Sequence, residues 1–309
     1  MLRLIFYFLI APGFLFSASI GLLSSWIDRK VTAMVQYRKG PPWYQPFADI
    51  LKLLGKEIIV PEGASVAVFF GAPFFGLVAA ALVSTMIWNF NLDPQKGFIG
   101  DLIVVLYLLT VPSLSAVIAG SASRNPLAAI GSSREMKLIL AYELPFILAI
   151  FTVVFKTGSI IFGDIISYQA IHGMAAAKIS GIIAFIVALL AVQAKLGFVP
   201  FDASEAEQEI MAGTLLEYSG PGLAMFKLTK AILLFVLPVF LITMFWGGIV
   251  ISTWTGILWF IIKYVLILTA IILIKNTNPR LRIDQAVRFF WGPVTVLAAV
   301  GFLLAIIGL

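Results

Sequence analysis

PFDASEAEQEIMAGTLLEYSGPG, residues 200–222, carries five acids, Asp202, Glu205, Glu207, Glu209 and Glu217, and no Lys or Arg. These are a third of the fifteen acids in the chain. The stretch lies between two apolar runs, about 179–199 and 223–250. Each is as long as the roughly 18–20 residues that a helix needs to cross a bilayer. Carboxylates are costly in lipid, so the stretch faces water or lines a wet cavity. Read outward from here, the chain is an all-α polytopic membrane protein. An acidic patch at a membrane edge has three readings: a solvated loop, a docking surface for a protein, or the mouth of an ion path.

Composition agrees. Of 309 residues, 61% are hydrophobic and 12% charged, whereas a soluble domain is roughly 25% charged. Too few polar side chains remain to coat a water-facing surface. A β-barrel is excluded, since its strands would alternate apolar and polar over about ten residues. There is no Cys, so no disulfide and no Cys-ligated iron–sulfur cluster or zinc. The single histidine, His172, rules out a His-cluster metal site and reads as an outward loop residue without a role. Any redox chemistry therefore belongs to a partner. Nothing points to nucleic acid. The first apolar run, 4–25, is too long for a signal-peptide core and reads as a retained helix.

Eight helices are expected in one integral membrane domain, 1–309, with spans near 3–26, 65–90, 99–121, 138–155, 179–199, 223–250, 254–274 and from 293 onward. The connection 156–178 has an amphipathic look and suits a helix at the interface. Loops after the first, third and seventh spans hold thirteen Lys and Arg. The positive-inside rule puts those loops in the cytoplasm of a cell-membrane protein and both termini outside. The acidic stretch falls on the cytoplasmic side too, against the charge bias there.

Written as a helix, the stretch puts Asp202, Glu205 and Glu209 on one face at i, i+3 and i+7, with Glu207 pointing elsewhere. Ionisable residues also sit within the apolar runs: Glu143 in LILAYELPFILA, Lys195 in VALLAVQAKLGFV, Lys227 and Lys230 in AMFKLTKAILL, and Lys263 in WFIIKYVLIL. A charge at the bilayer centre costs roughly 2.5–3.5 kcal/mol even on the mildest scale. Such residues pair or line a wet cavity, although a Lys near a helix end can snorkel instead. A carboxylate cannot reach far, which makes Glu143 the sharpest signal. Acids and lysines at this depth suit a proton relay entering from the cytoplasm. Pro112, Pro145 and Pro238 are placed to bend helices around such a cavity.

The first loop differs. Pro41, Pro42 and Pro46 make a rigid entry to FADILKLLGKE, which reads as a short amphipathic helix. Phe47, Ile50, Leu51 and Leu54 form its apolar side; Asp49, Lys52, Lys56 and Glu57 form its polar side. It reads either as an interfacial helix or as a docking surface for a soluble partner.

PFDASEAEQEIMAG followed by EYSG resembles the signature loop of the membrane subunit that anchors the peripheral arm in respiratory complex I and in energy-converting NiFe-hydrogenases. DRKVTAMVQYRKGPP (28–42), QPFADILKLLGKE (45–57) and SREMKLILAYELP (133–145) extend the resemblance over nearly the whole chain. The first loop, RKGPPWYQPFADILKL, is shorter than its complex I counterpart and lacks the second Gly-rich half, which speaks against quinone binding. The GPPWYQP form is similar to hydrogenase-type relatives that take electrons from ferredoxin.

The resemblance implies an anchor and coupling subunit, with no cofactor of its own, in a hydrogen-evolving, ion-translocating complex. Its partners would be the hydrogenase large and small subunits with the nickel–iron centre, an iron–sulfur subunit carrying clusters, and antiporter-like membrane subunits. Carried over by position, Glu143, Asp202, Glu205, Glu207, Glu209 and Glu217 are coupling carboxylates, with Lys195, Lys227, Lys230 and Lys263 beside them. Arg29, Arg38 and Lys39, with Asp49, Lys52 and Lys56, would dock partners. The alternatives are the same role in a sulfane-sulfur reductase or formate hydrogenlyase, or a quinone-reducing complex I subunit. A stand-alone transporter would show an internal repeat, and none is evident.

Overall fold

The computed structural model describes residues 2–250 and 253–308, with side chains from residue 6 onward apart from Glu207. All regular structure among the described residues is helical. The helices are α1 (Leu2–Leu9), α2 (Phe14–Val35), α3 (Gln45–Leu54), α4 (Val66–Leu92), α5 (Asp101–Leu108), α6 (Val111–Ala122) and α7 (Pro126–Thr157). There follow α8 (Phe162–His172), α9 (Ile179–Lys195), α10 (Glu207–Ile210), α11 (Gly220–Phe245), α12 (Trp254–Thr277), α13 (Ile283–Phe289) and α14 (Thr295–Ile307).

Among the described residues, seven helical segments are long and apolar enough to cross a membrane. The remaining expected span is α9, whose 17 residues sit at the short end of the roughly 17–25 that suffice. From Ala231 onward helix α11 is apolar on every side, and 89% of its most apolar stretch is buried, against 28% for that of α12. A helix without a polar face belongs in the centre of a bundle, and α2, α3, α4, α9 and α12 pack around α11. Gly21 allows the α2 contact: a Cβ there would lie 2.2 Å from the Ala231 carbonyl oxygen. Helix α7 packs beside this group against α6, α9 and α14.

Several expectations change. The fourth span starts at Pro126, not near 138, because Asn125 caps the helix by accepting from the Leu127 amide at 2.8 Å and Pro126 takes the first turn. Arg134, Glu135 and Lys137 are thus helical. The third span is two helices, α5 and α6, and Pro112 lies in the first turn of α6 instead of bending a helix. Pro145 and Pro238 do lie inside α7 and α11. The last span begins at Ile283 and passes through a π-helical turn at Phe290–Val294, so Asp284 and Arg288 are helical.

The acidic stretch is not one helix. It is an irregular segment broken by the four-residue α10 and the 3₁₀ turn Gly213–Leu215. Its carboxylates reach separate partners, which a single helical face would not permit. In the first loop, α3 does form, but Ile50 and Leu53 are its buried apolar contacts while Leu51 and Leu54 are exposed. Ile50 packs with Leu22 and Ala231, half-buried Phe47 against them.

Candidate functional site

One end of the bundle gathers the connections after α2, α6, α9 and α12. The contacts that fix this are specific. Arg280 lies 2.7 Å from Asp202, Arg134 2.5 Å from Glu209, and Lys275 2.7 Å from Asp28. Asn125 donates to Glu217 at 2.5 Å.

The acidic segment is seated by close approach. A Cβ on Gly131 of α7 would lie 2.7 Å from the Thr214 amide nitrogen, and one on Gly120 of α6 would lie 3.1 Å from the Thr214 Cα. Small residues here let the segment's backbone touch two helices. Tyr218 anchors its far end, stacked on Phe69 at 4.1 Å and donating to the Phe69 carbonyl at 2.9 Å. Burial pushes the Tyr218 phenol well above its ordinary range, so it stays a donor.

Beneath the segment lie two charge pairs and a small cavity. Lys195, at the end of α9, is buried and donates to Glu143 of α7 at 2.5 Å. Its ammonium also faces the rings of Tyr142 and Phe146, each 5.0 Å away. Lys230 of α11 pairs with Glu205. Between the two pairs is a cavity of about 40 Å³, lined by Glu135, Lys195, Ser204, Glu205, Thr229 and Lys230. At roughly 10–15 Å³ per water, it has room for about three or four. Glu135 is 8% exposed, and the Ser204 and Ser113 hydroxyls and the charges of Glu205 and Lys230 act on its carboxyl. The Tyr142 hydroxyl donates to Ser113 at 3.4 Å.

Two further carboxylates flank this centre. Asp202 is buried, and one of its oxygens, Oδ1, has no protein partner. Burial pushes its carboxyl up, against the opposing pull of Arg280. Asp49 of α3 is also raised by burial, but hydrogen bonds from Arg29 and Gln45 outweigh that and hold it below the usual carboxylate range.

The arrangement brings together Glu143, Lys195, Glu205 and Lys230, with Asp202, Glu209 and Glu217 around them. The side chain of Glu207 lies outside the described residues. Lys227 is exposed, and its charge acts on Asp49. Lys263 is at the opposite end, donating to the Trp246 carbonyl at 2.5 Å. Arg38, Lys39, Lys52 and Lys56 are all exposed, and Arg29 pairs with Asp49 at 2.9 Å. Sequence reasoning missed Glu135, the most enclosed carboxylate at the cavity, together with the partners Arg134, Arg280 and Asn125. The Asn-Pro pair at 125–126 was the available signal, since it starts a helix and puts Glu135 well inside it.

Chemically, alternating carboxylates and ammonium groups around a few waters can pass a proton. They can also register a charge, because protonating one member of a pair in low dielectric frees its partner. Among the described residues no group of three or more His, Asp or Glu is placed to hold a metal.

Fold and site define a helical membrane subunit with charge pairs buried beneath its loop-bearing end. The chain belongs to the family described as NADH dehydrogenase, whose sequence model matches residues 8–306. The NADH-quinone oxidoreductase H subunit of Dehalococcoides mccartyi (strain CBDB1) is 33% identical over 304 residues, covering 94% of this chain and 82% of that protein. Its counterpart from Brevibacillus brevis is 32% identical over 312 residues, covering 96% of this chain and 92% of that one. Among solved structures, a chain of the membrane-bound sulfane sulfur reductase, an archaeal respiratory membrane complex, superposes with a TM-score of 0.89 at 30% identity. The match covers 98% of this chain and 99% of that one.

Proposed function

We propose that this chain is the membrane-anchor and coupling subunit of a complex I-like respiratory complex. It carries no cofactor of its own. Its loop-bearing end faces the cytoplasm and both termini face outward, in a single integral membrane domain of the cell membrane. The observation that carries this reading is the string of charges Glu143–Lys195, Glu135 and Glu205–Lys230, with Lys195 and Glu135 buried, gathered around one small polar-lined cavity. A lipid-embedded protein keeps such a set for handling charge, because each unpaired member would be expensive.

The complex is of the ferredoxin-dependent, hydrogen-evolving type, with nickel–iron and iron–sulfur centres in peripheral subunits and antiporter-like subunits moving protons or sodium. The shortened first loop, with GPPWYQP at 40–46, supports this over a quinone-reducing enzyme. Redox turnover shifts the acidic segment against α6 and α7, and the carboxylates beneath it pass that change to the membrane partners. The exposed first loop, with Arg38, Lys39, Lys52 and Lys56, offers the docking surface.

A second reading keeps the role and changes the electron acceptor to sulfane sulfur. It is favoured by the 0.89 TM-score over almost all of both chains. Nickel content separates the two in the native complex, purified gently through a tag on this chain. Stoichiometric nickel supports the hydrogenase. Iron–sulfur clusters without nickel move the assignment to the sulfur-reducing relative, and a chain that purifies alone overturns the anchoring role.

A further inference from the structure

At the end of the bundle opposite the acidic segment, the last turns of α7 and α14 and the link from α8 to α9 enclose a cavity of about 430 Å³. Lys156, His172 and Lys178 line it, and none of the described residues lining it is acidic. Lys156 sits in the last turn of α7. Its Nζ is buried and has no hydrogen-bond partner. Lys178 donates to the Gly308 carbonyl at 3.1 Å and keeps two further N–H groups. The His172 ring stacks on Tyr168 at 4.2 Å, with Nδ1 3.2 Å from the Tyr168 carbonyl, which leaves Nε2 for another partner.

A helix C-terminus attracts a lysine through its partial negative charge. That accounts for Lys156 on α7. The end of α14 likewise accounts for Lys178, which donates to its C-cap Gly308, but two partial charges do not offset two full ammonium charges lining one cavity, and like charges repel. The surroundings say more. Because α7 and α14 end here, the cavity opens where acyl chains give way to headgroups. Its lining includes exposed apolar side chains: Phe155 is 50% exposed and Met174 49%. A soluble anion would need only the cationic floor.

We propose that this cavity seats the phosphate of an anionic phospholipid. Lys156 and Lys178 pair with the phosphate oxygens, and the acyl chains lie along Phe155 and the end of α14.

Native mass spectrometry of the complex tests this, after purification through a tag on this chain, delipidation and titration with phosphatidylglycerol. The Lys156→Gln/Lys178→Gln variant is expected to bind one lipid fewer at low lipid, with at least about tenfold weaker apparent affinity for it. Lys156→Arg/Lys178→Arg is expected to keep it. Lys178→Gln alone, at an exposed position, is expected to weaken the same site without disturbing the fold. Millimolar inorganic phosphate is expected not to displace the lipid. Equal occupancy in wild type and both Gln variants overturns the proposal. So does lysine-dependent binding of inorganic phosphate without phosphatidylglycerol, which would assign the cavity to a soluble anion.

Discussion

The ammonium of Lys195 lies 2.5 Å from the Glu143 carboxylate although the two are 52 residues apart in sequence. The pair joins the end of α9 to the middle of α7, and the Lys195 side chain is 2% exposed against 19% for Glu143. Coulomb attraction in such a place is strong, but so is the desolvation it must offset.

Breaking this pair from one side should therefore be worse than removing both charges. Glu143→Gln or Lys195→Met alone is expected to destabilise by about 3–5 kcal/mol. The double variant is expected to recover a large part of that. A thermal-unfolding double-mutant cycle on the purified complex checks it, and additive effects would show that the pair is not coupled. Both single variants are also expected to lower ion transport per electron.

Glu135 is the buried carboxylate at the cavity on which side chains of both α6 and the acidic segment act. Glu135→Gln preserves shape and most hydrogen bonding but cannot give or take a proton. Ion transport in proteoliposomes is expected to fall by about tenfold or more, with assembly of the complex unchanged. Wild-type transport by this variant would remove Glu135 from the coupling path.

The Asp202–Arg280 pair has a pH signature. Burial raises the Asp202 carboxyl above the usual 3.8, with Arg280 pulling it back. An acid raised in the folded state holds its proton longer there than in the unfolded chain. Stability therefore declines as pH rises through the window above 3.8. Arg280→Gln removes the opposing charge and widens that window. The variant's melting temperature is expected to fall more steeply with rising pH than wild type, and Asp202→Asn/Arg280→Gln is expected to flatten the dependence. Parallel curves for all three proteins would contradict it.

At the other end of the bundle, Asn91 donates to Thr243 at 3.0 Å and to the Ile87 carbonyl at 2.8 Å. It also accepts from the Ile249 amide at 2.8 Å, and Gln169 reaches the Thr243 and Met244 carbonyls at 3.1 Å each. Asn91→Leu leaves the Ile249 amide buried and unpaired, which costs about 1–3 kcal/mol. The variant is expected to melt earlier while keeping turnover at permissive temperature. Loss of turnover without loss of stability would mean that this network does more than hold α4 to α11.

The sequence by itself determined the membrane class, the order of the apolar helices and the gathering of a third of the acids in one stretch between two of them. Those follow from hydropathy and length, which are local properties that lipid enforces on every segment. It also singled out Glu143, because a short carboxylate in an apolar run cannot escape to water. Tertiary structure decided the pairings. Glu143 with Lys195, Glu205 with Lys230, Asp202 with Arg280 and Glu209 with Arg134 each join distant parts of the chain. No periodicity encodes such distances. Glu135 escaped notice because its meaning depends on where α7 begins and on which loop covers it. The acidic segment abandoned a helix for the same reason: its carboxylates have several partners on different helices, and one helical face can meet only one of them.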